Sequence, residues 1–466
     1  MPTRRRIAVI TPDVLAGQMA GPAIRAVNIA EQLSLDHDVT LISTLRCEIS
    51  RPGYRCLFAG WDELRAAVAD AEIVVLQGFV SFHASWLLRT DKILVMDLYD
   101  PIHLEQLEQL SGQPLVQRRA TADLTTQVLN AQLVRGDFFL CASEVQRNLW
   151  LGQLAAVGRL NPDNYLADPS LRSLIAICPF GVDPQPPARS GPGIRSVVDG
   201  IGPQDKVLLW AGGVYNWFDP VTLIRAVDLV RAEHEDFRLF FLGMKHPNPN
   251  VPAMKAAWDT RQLSESLGLT GKHVFFNEGW VPYDERANYL LDADAGVSTH
   301  LSHLETIFSF RTRILDYFWA GLPIVSTGGD SLGDLVGANG LGVTVAEGDV
   351  AGLAEAITRV LYDEDFARAC RVAVERERER FAWPTALAPL VDFCADAHRA
   401  ADSSIDPRRM ARHLLPPRNP AEADLRRFSA LVREGGISLL GKRIVSRTRR
   451  VAGRLSKARR TGGESA

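Results

Sequence analysis

The chain has 466 residues, 46% hydrophobic and 23% charged, the balance of a soluble globular protein with material for two α/β cores. No stretch approaches the roughly 20 uninterrupted apolar residues that span a bilayer, and the apolar run at 7–10 is far too short for a secretory signal, so a cytoplasmic protein is expected. The net charge of −3 hides an asymmetry: from Ala401 onward 16 Lys and Arg stand against 6 Asp and Glu, leaving 36 against 49 in the first 400 residues.

In chain order, six continuous apolar runs come first, at 6–11, 39–43, 73–77, 93–97, 138–141 and 175–178. Such runs predict parallel strands covered on both faces. The amphipathic stretches between them, such as 23–33 and 61–69, predict the crossover helices of a doubly wound sheet. Asp183-Pro-Gln-Pro-Pro-Ala-Arg-Ser-Gly-Pro-Gly193 suits neither helix nor central strand, because proline removes a backbone donor and glycine adds chain entropy. It opens a linker over 184–205. A second series follows, with strands expected at 207–211, 238–242, 274–276, 295–298, 323–326 and 341–345, closed by a helix around 353–361 and the charged run 374–380. One more helix, over 383–400, is expected to return to the first domain. The pattern is α/β: two Rossmann-like doubly wound domains, 1–183 and 206–382, facing a cleft, followed by a basic amphipathic tail over 401–466. Ligands of such sheets lie beyond the carboxyl ends of the strands.

Cys47, Cys56, Cys141, Cys178, Cys370 and Cys394 are scattered, with no metal-ligand spacing, and read as buried thiols. The first turn, Thr11-Pro-Asp-Val-Leu-Ala-Gly-Gln-Met-Ala-Gly-Pro22, places Gly17 and Gly21 before a helix whose N-terminus attracts anions. Its spacing is not that of a dinucleotide fingerprint. In Trp210-Ala-Gly-Gly-Val-Tyr-Asn-Trp-Phe-Asp-Pro220, Gly212 and Gly213 allow close approach of a ligand, Asn216 offers hydrogen bonds, and Asp219 caps the next helix. The richest stretch is His303-Leu-Glu-Thr-Ile-Phe-Ser-Phe-Arg-Thr-Arg-Ile-Leu-Asp-Tyr-Phe-Trp-Ala-Gly-Leu-Pro-Ile-Val325. There Arg311 and Arg313 stand at the start of a helix, where a diphosphate pairs with guanidinium forks and free N–H groups. Asp316 follows on the face of Arg313 and suits a ribose diol.

The glycine-rich first turn, Pro179-Phe-Gly-Val-Asp183, the Gly212-Gly213 turn and Asp316-Tyr-Phe-Trp-Ala-Gly-Leu-Pro-Ile-Val325, in that order, resemble the GT-B glycosyltransferases, specifically retaining family four, over roughly residues 6–395. That family has a spaced pair of glutamates for donor sugar and ribose, followed by Ala-x-Gly-x-Pro-Val-Val. Here Asp316 takes the second place, Phe308 stands in the first, and Glu305 is the displaced candidate for it. Arg313 fits the variant with a basic residue ahead of the ribose acid. The basic pair usual in the turn at 213–219 is missing, and Arg311, Arg313 and Lys245 are the residues to replace its charge. By the same resemblance, the segment 274–281, with Trp280, presents the nucleobase site.

Asp97-Leu-Tyr-Asp100-Pro101 enters the cleft from the first domain, with Asp100 and His103 as acceptor-side candidates; its spacing is not a metal-binding DxD, so neither metal nor cofactor is expected. The resemblance implies a hexosyltransferase-like enzyme that takes a nucleoside diphosphate sugar as co-substrate and retains anomeric configuration. Its catalytic candidates are Glu305, Arg311, Arg313 and Asp100. The tail sets Ile437, Leu440, Ile444 and Val451 among arginines and lysines, a pattern for an anionic membrane surface. It lacks aromatic stacking platforms beyond Phe428, which argues against nucleic acid. The expected place is the inner face of the plasma membrane, with a glycan or lipid-linked acceptor. A nucleotide-sugar epimerase or hydrolase on the same fold, or a non-catalytic binder, are the rival functions.

Overall fold

The computed structural model describes residues 4–244 and 254–404. Lys245 and almost all of the basic tail lie outside the described residues. Two parallel sheets organise the rest. The first contains β1 (Arg6–Thr11), β2 (Asp38–Ser43), β3 (Arg55–Phe58), β4 (Ile73–Gln77), β5 (Ile93–Asp97), β6 (Phe138–Cys141) and β7 (Ile175–Ile177), in the order β3-β2-β1-β4-β5-β6-β7. The second contains β8 (Lys206–Trp210), β9 (Phe237–Phe241), β10 (Val274–Phe276), β11 (Ala295–Ser298), β12 (Ile324–Thr327) and β13 (Gly342–Val345), in the order β10-β9-β8-β11-β12-β13.

Each sheet reverses its winding once, between β1 and β4 and between β8 and β11. A crevice opens at such a switch point, because the loops on either side depart in opposite directions. Central strands such as Ile7-Ala-Val-Ile10 and Val207-Leu-Leu-Trp210 are fully buried, as strands sandwiched between helix layers must be.

Several differences from the sequence reading have local causes. Edge strand β3 was not expected, since Arg-Cys-Leu-Phe is only partly covered and shows no continuous apolar run. The predicted helix over 61–69 shrinks to Leu64–Ala67. The predicted helix over 383–400 is two short ones, Trp383–Ala386 and Ala388–Ala395, each with a proline in its first turn. Proline is accepted at a helix start and breaks a continuing one.

The chain crosses between the sheets beside itself. Val182 N donates to the Phe381 carbonyl, and Trp383 N donates to the Val182 carbonyl. Beyond that crossing, Phe393 stacks on Phe138 with centroids 4.2 Å apart, and Arg399 Nε donates to Asp137 at 2.8 Å. Among the described residues, no helix is long and apolar enough to cross a membrane.

Candidate active site

The turn leaving β8 is Ala211-Gly212-Gly213. Gly212 has φ 85°, and a Cβ on Gly213 would lie 2.8 Å from the Tyr215 ring. The backbone is therefore bare at the switch point of the second sheet. Helix α1 (Gly21–Ser34) begins across the cleft from it. Two further helices of the first domain, α2 (Ile102–Gln109) and α3 (Leu115–Arg135), follow β5. In the second domain α4 (Pro220–Glu233) is capped by Asp219, whose carboxylate accepts from Thr222 N at 3.0 Å. A short helix α5 (Leu304–Phe308) precedes α6 (Arg313–Ala320), which ends at Gly321 in the left-handed region, φ 68°.

Arg313 packs onto the glycine turn. Its guanidinium lies 4.1 Å from the Trp210 ring centroid and 3.9 Å from that of Phe218, and Nη2 donates to the Gly213 carbonyl at 2.6 Å. Nη1 is buried without a hydrogen-bond partner, and no carboxylate reaches ion-pair distance of Arg313 among the described residues. Burial pulls its pKa down to about 10.

Arg311 is held differently. Nη1 and Nη2 donate to Glu305 Oε1 and Oε2 at 3.0 and 2.7 Å, a bidentate pair with both side chains almost wholly buried. Asp330 Oδ2 lies 4.0 Å from Arg311 Nε and 2.8 Å from His300 Nε2. The cation expected on the diphosphate is therefore already matched by the acid expected on the sugar.

Asp316 does not pair with Arg313, as their spacing suggested. It accepts from Arg286 Nε at 3.3 Å, and Arg286 lies 3.6 Å from the Tyr283 ring centroid and 4.2 Å from that of Trp319. Burial raises the Asp316 carboxyl, with Arg286 opposing. Sequence reasoning missed Arg286, which stands 30 positions from its partner.

From the first domain, Asp100 and the unforeseen Glu105 face the same space. Burial raises both carboxyls, and the neighbouring Asp100 lifts Glu105 further, well above the usual carboxylate range. Gln146 Nε2 ties the domains by donating to the Tyr99 and Phe308 carbonyls, both at 2.9 Å. The backbone of Phe308 thus has a bridging role, although its side chain is no acid. Trp280 Nε1 donates to the Met19 carbonyl at 3.2 Å, and Gln18 Nε2 donates to the Trp280 carbonyl at 2.8 Å.

These groups surround one cavity of about 350 Å3 between the sheets. Of the sequence candidates it gathers Gly21, Asp100, Gly212, Gly213, Trp280, Glu305, Arg311, Arg313 and Asp316. Gly17 and Asn216 do not line it. Gly17 is exposed and its carbonyl accepts from Tyr283 N, while the Asn216 side chain accepts from Ala256 N at 3.2 Å and braces a helix start. His103 is packed 5.5 Å from the Trp150 ring, outside the cavity wall, and burial lowers its pKa. Among the described residues no cluster of three His, Cys, Asp or Glu side chains is placed to hold a metal ion.

Residues 205–363 match the family model for glycosyl transferases group 1. They form a group 1 glycosyltransferase domain. This glycosyltransferase domain runs from β8 past β13 and supplies the glycine turn, the Glu305–Arg311 pair and Arg313. No curated protein matches the chain in sequence. In fold, the described chain has the two Rossmann-like domains of the GT-B glycosyltransferases. It is similar to sucrose-phosphate synthase from Thermosynechococcus elongatus, at 16% identity over 84% of this chain and 99% of that one, TM-score 0.60. It is also similar to HepE from Anabaena in complex with UDP-glucose, at 13% identity over 84% of this chain and 100% of that one, TM-score 0.59. A third likeness is to WaaG, a glycosyltransferase involved in lipopolysaccharide biosynthesis, at 15% identity over 84% and 98%, TM-score 0.58.

Proposed function

We propose that the protein transfers a sugar from a nucleoside diphosphate sugar to a hydroxyl acceptor, with retention of configuration and without a metal or cofactor. Arg313 carries the donor reading. A buried guanidinium with an open Nη1, lying on a bare glycine turn at a sheet's switch point, is left uncompensated until an anion lies beside it. A diphosphate is such an anion. Asp316, one turn further along α6 and steadied by Arg286, is suited to accept from the ribose diol. The UDP-glucose bound by HepE makes UDP the first nucleotide to try.

In the reaction the acceptor oxygen bonds to the anomeric carbon, the bond from that carbon to the diphosphate breaks, and nucleoside diphosphate and the acceptor's proton are released. Arg313 and the backbone N–H groups of the glycine turn stabilise the departing charge. Glu305, clamped by Arg311, faces the sugar. The basic segment beyond residue 400 supports a glycan or lipid-linked acceptor reached from the cytoplasm at an anionic membrane surface, the inner face of the plasma membrane.

Calorimetry with UDP tests the donor site. Arg313→Ala is expected to lose about 1.5–3 kcal/mol of affinity, the worth of a charged hydrogen bond. Unchanged affinity in a folded variant would remove the site. Nucleotide release from a panel of donor sugars separates transfer, which needs acceptor, from epimerisation or hydrolysis, which do not, and absence of release would leave a binder.

A further inference from the structure

A second cavity, of about 450 Å3, lies beyond the carboxyl ends of β1, β4 and β5, at the switch point of the first sheet. Its size is that of a site for a drug-sized molecule. Pro22, Tyr99 and Asp100 line both this cavity and the donor cavity, so the two meet at those three residues. Its walls are mainly apolar: Trp61, Phe79, Leu98, Ile102, Val128 and Leu129. Trp61 is stacked on His83 with centroids 4.5 Å apart and planes 21° apart, which makes a flat, rigid wall.

Several of the polar groups in this cavity are engaged in hydrogen bonds within the protein. Asp97 accepts from Arg25 Nε and Nη2 at 2.8 and 2.9 Å and from Gln77 Nε2 at 3.0 Å. Gln132 Nε2 donates to the Gly78 carbonyl and the Ser81 hydroxyl. Asp13 accepts from Val14 N. One buried acceptor remains without a partner, Gln77 Oε1, on a residue 3% exposed. A sugar ring presents hydroxyls all round and needs many partners when buried. This cavity offers a flat apolar slot, one free acceptor deep inside, and Asp100 at the mouth.

We propose that the cavity seats the flat, largely apolar body of an alcohol or phenol acceptor, whose reacting hydroxyl turns past Asp100 toward the donor. A second polar group on the same molecule, a donor, meets Gln77 Oε1. The proposal rests on the transferase reading above but sets aside its glycan acceptor: the part of the acceptor next to the reacting oxygen is a ring system and not a sugar.

The test uses the full chain and 7-hydroxycoumarin, a flat fluorescent phenol, titrated by fluorescence, with UDP affinity measured by calorimetry on the same samples. Saturable binding of the phenol is expected, with no displacement by excess methyl glucoside. Val128→Trp, which fills the slot, and Trp61→Ala, which removes its flat wall, should each weaken the phenol about tenfold or more, as loss of a buried aromatic anchor or its space does. Both should leave UDP affinity as it is, which also shows that the variants fold. A protein that binds UDP but not the phenol overturns the proposal, as does displacement by methyl glucoside, or wild-type phenol affinity in both variants. Phenol binding that responds to both substitutions in a protein without UDP affinity supports the cavity and overturns the donor reading instead.

Discussion

Arg311 and Arg313 stand two positions apart and are both almost fully buried, yet only one has a counter-charge. The sequence shows both arginines and both acids but not which pairs with which, since spacing along a helix permits Arg313–Asp316 and the fold chooses Arg311–Glu305 and Arg286–Asp316. Glu305→Gln would leave Arg311 buried without its carboxylate. Urea unfolding should show a loss of about 3 kcal/mol, the usual cost of breaking a buried pair from one side. The Asp100–Glu105 pair makes a pH prediction. A carboxyl whose folded pKa is raised contributes stability that is full below its unfolded value, about 4.3 for Glu, and is lost as pH rises through the folded value. Glu105→Gln removes that loss. Thermal melts should show the variant more stable than the parent at about pH 8, with the difference closing toward about pH 4. A variant less stable at the higher pH would mean that the fold does not raise the Glu105 carboxyl.

At the scale of elements, the strands were legible because each central one is a continuous apolar run bounded by turn residues. Helix α3 was not, because its buried residues, Thr125, Val128, Leu129, Gln132 and Leu133, occupy only its second half, and Leu115 and Val116 at its start are exposed. Glu105 had no sequence signal, since an acid on an amphipathic helix is ordinary. The stretch 303–325 was legible because glycine, proline and charge cluster at a strand–helix junction. Its Tyr317 has a role that motif reading does not show. The hydroxyl accepts from Ala211 N at 3.0 Å and shares its proton between the Leu209 and Val297 carbonyls at 2.9 and 2.8 Å. Gly296 leaves room for the ring, since a Cβ there would lie 2.4 Å from it. α6 is thereby bolted to the ends of β8 and β11. Tyr317→Phe should cost about 1–3 kcal/mol, because buried backbone groups lose their partner. Chemical denaturation measures it, and UDP affinity should fall as well, since Arg313 shares the helix. A Tyr317→Phe protein of full stability would show that water replaces the hydroxyl.

At the scale of the molecule, the domains are joined twice at one place, where Val182 and Ala382 run side by side. The segment after that crossing packs on the first sheet and ends in a buried ion pair: Arg159 Nε donates to Asp402 Oδ2 at 2.8 Å, with both side chains no more than 2% exposed. Asn161 Nδ2 also donates to Asp402, at 2.7 Å. Asp402→Ala should destabilise the protein by about 3–5 kcal/mol, since it strands a buried guanidinium. Calorimetric melting would register this, and a melt like the parent's would mean that the Arg159 pocket relaxes.

That pair joins positions 243 residues apart, with the whole glycosyltransferase domain between them. A ribosome adds about 5–20 residues per second, so β7 has left it many seconds before Asp402 exists. Arg159 waits through that interval as a cation meant for an interior that is not yet closed. The half of the protein made first is thus completed last, and a nascent chain exposes that unfinished face while the later half folds beside it.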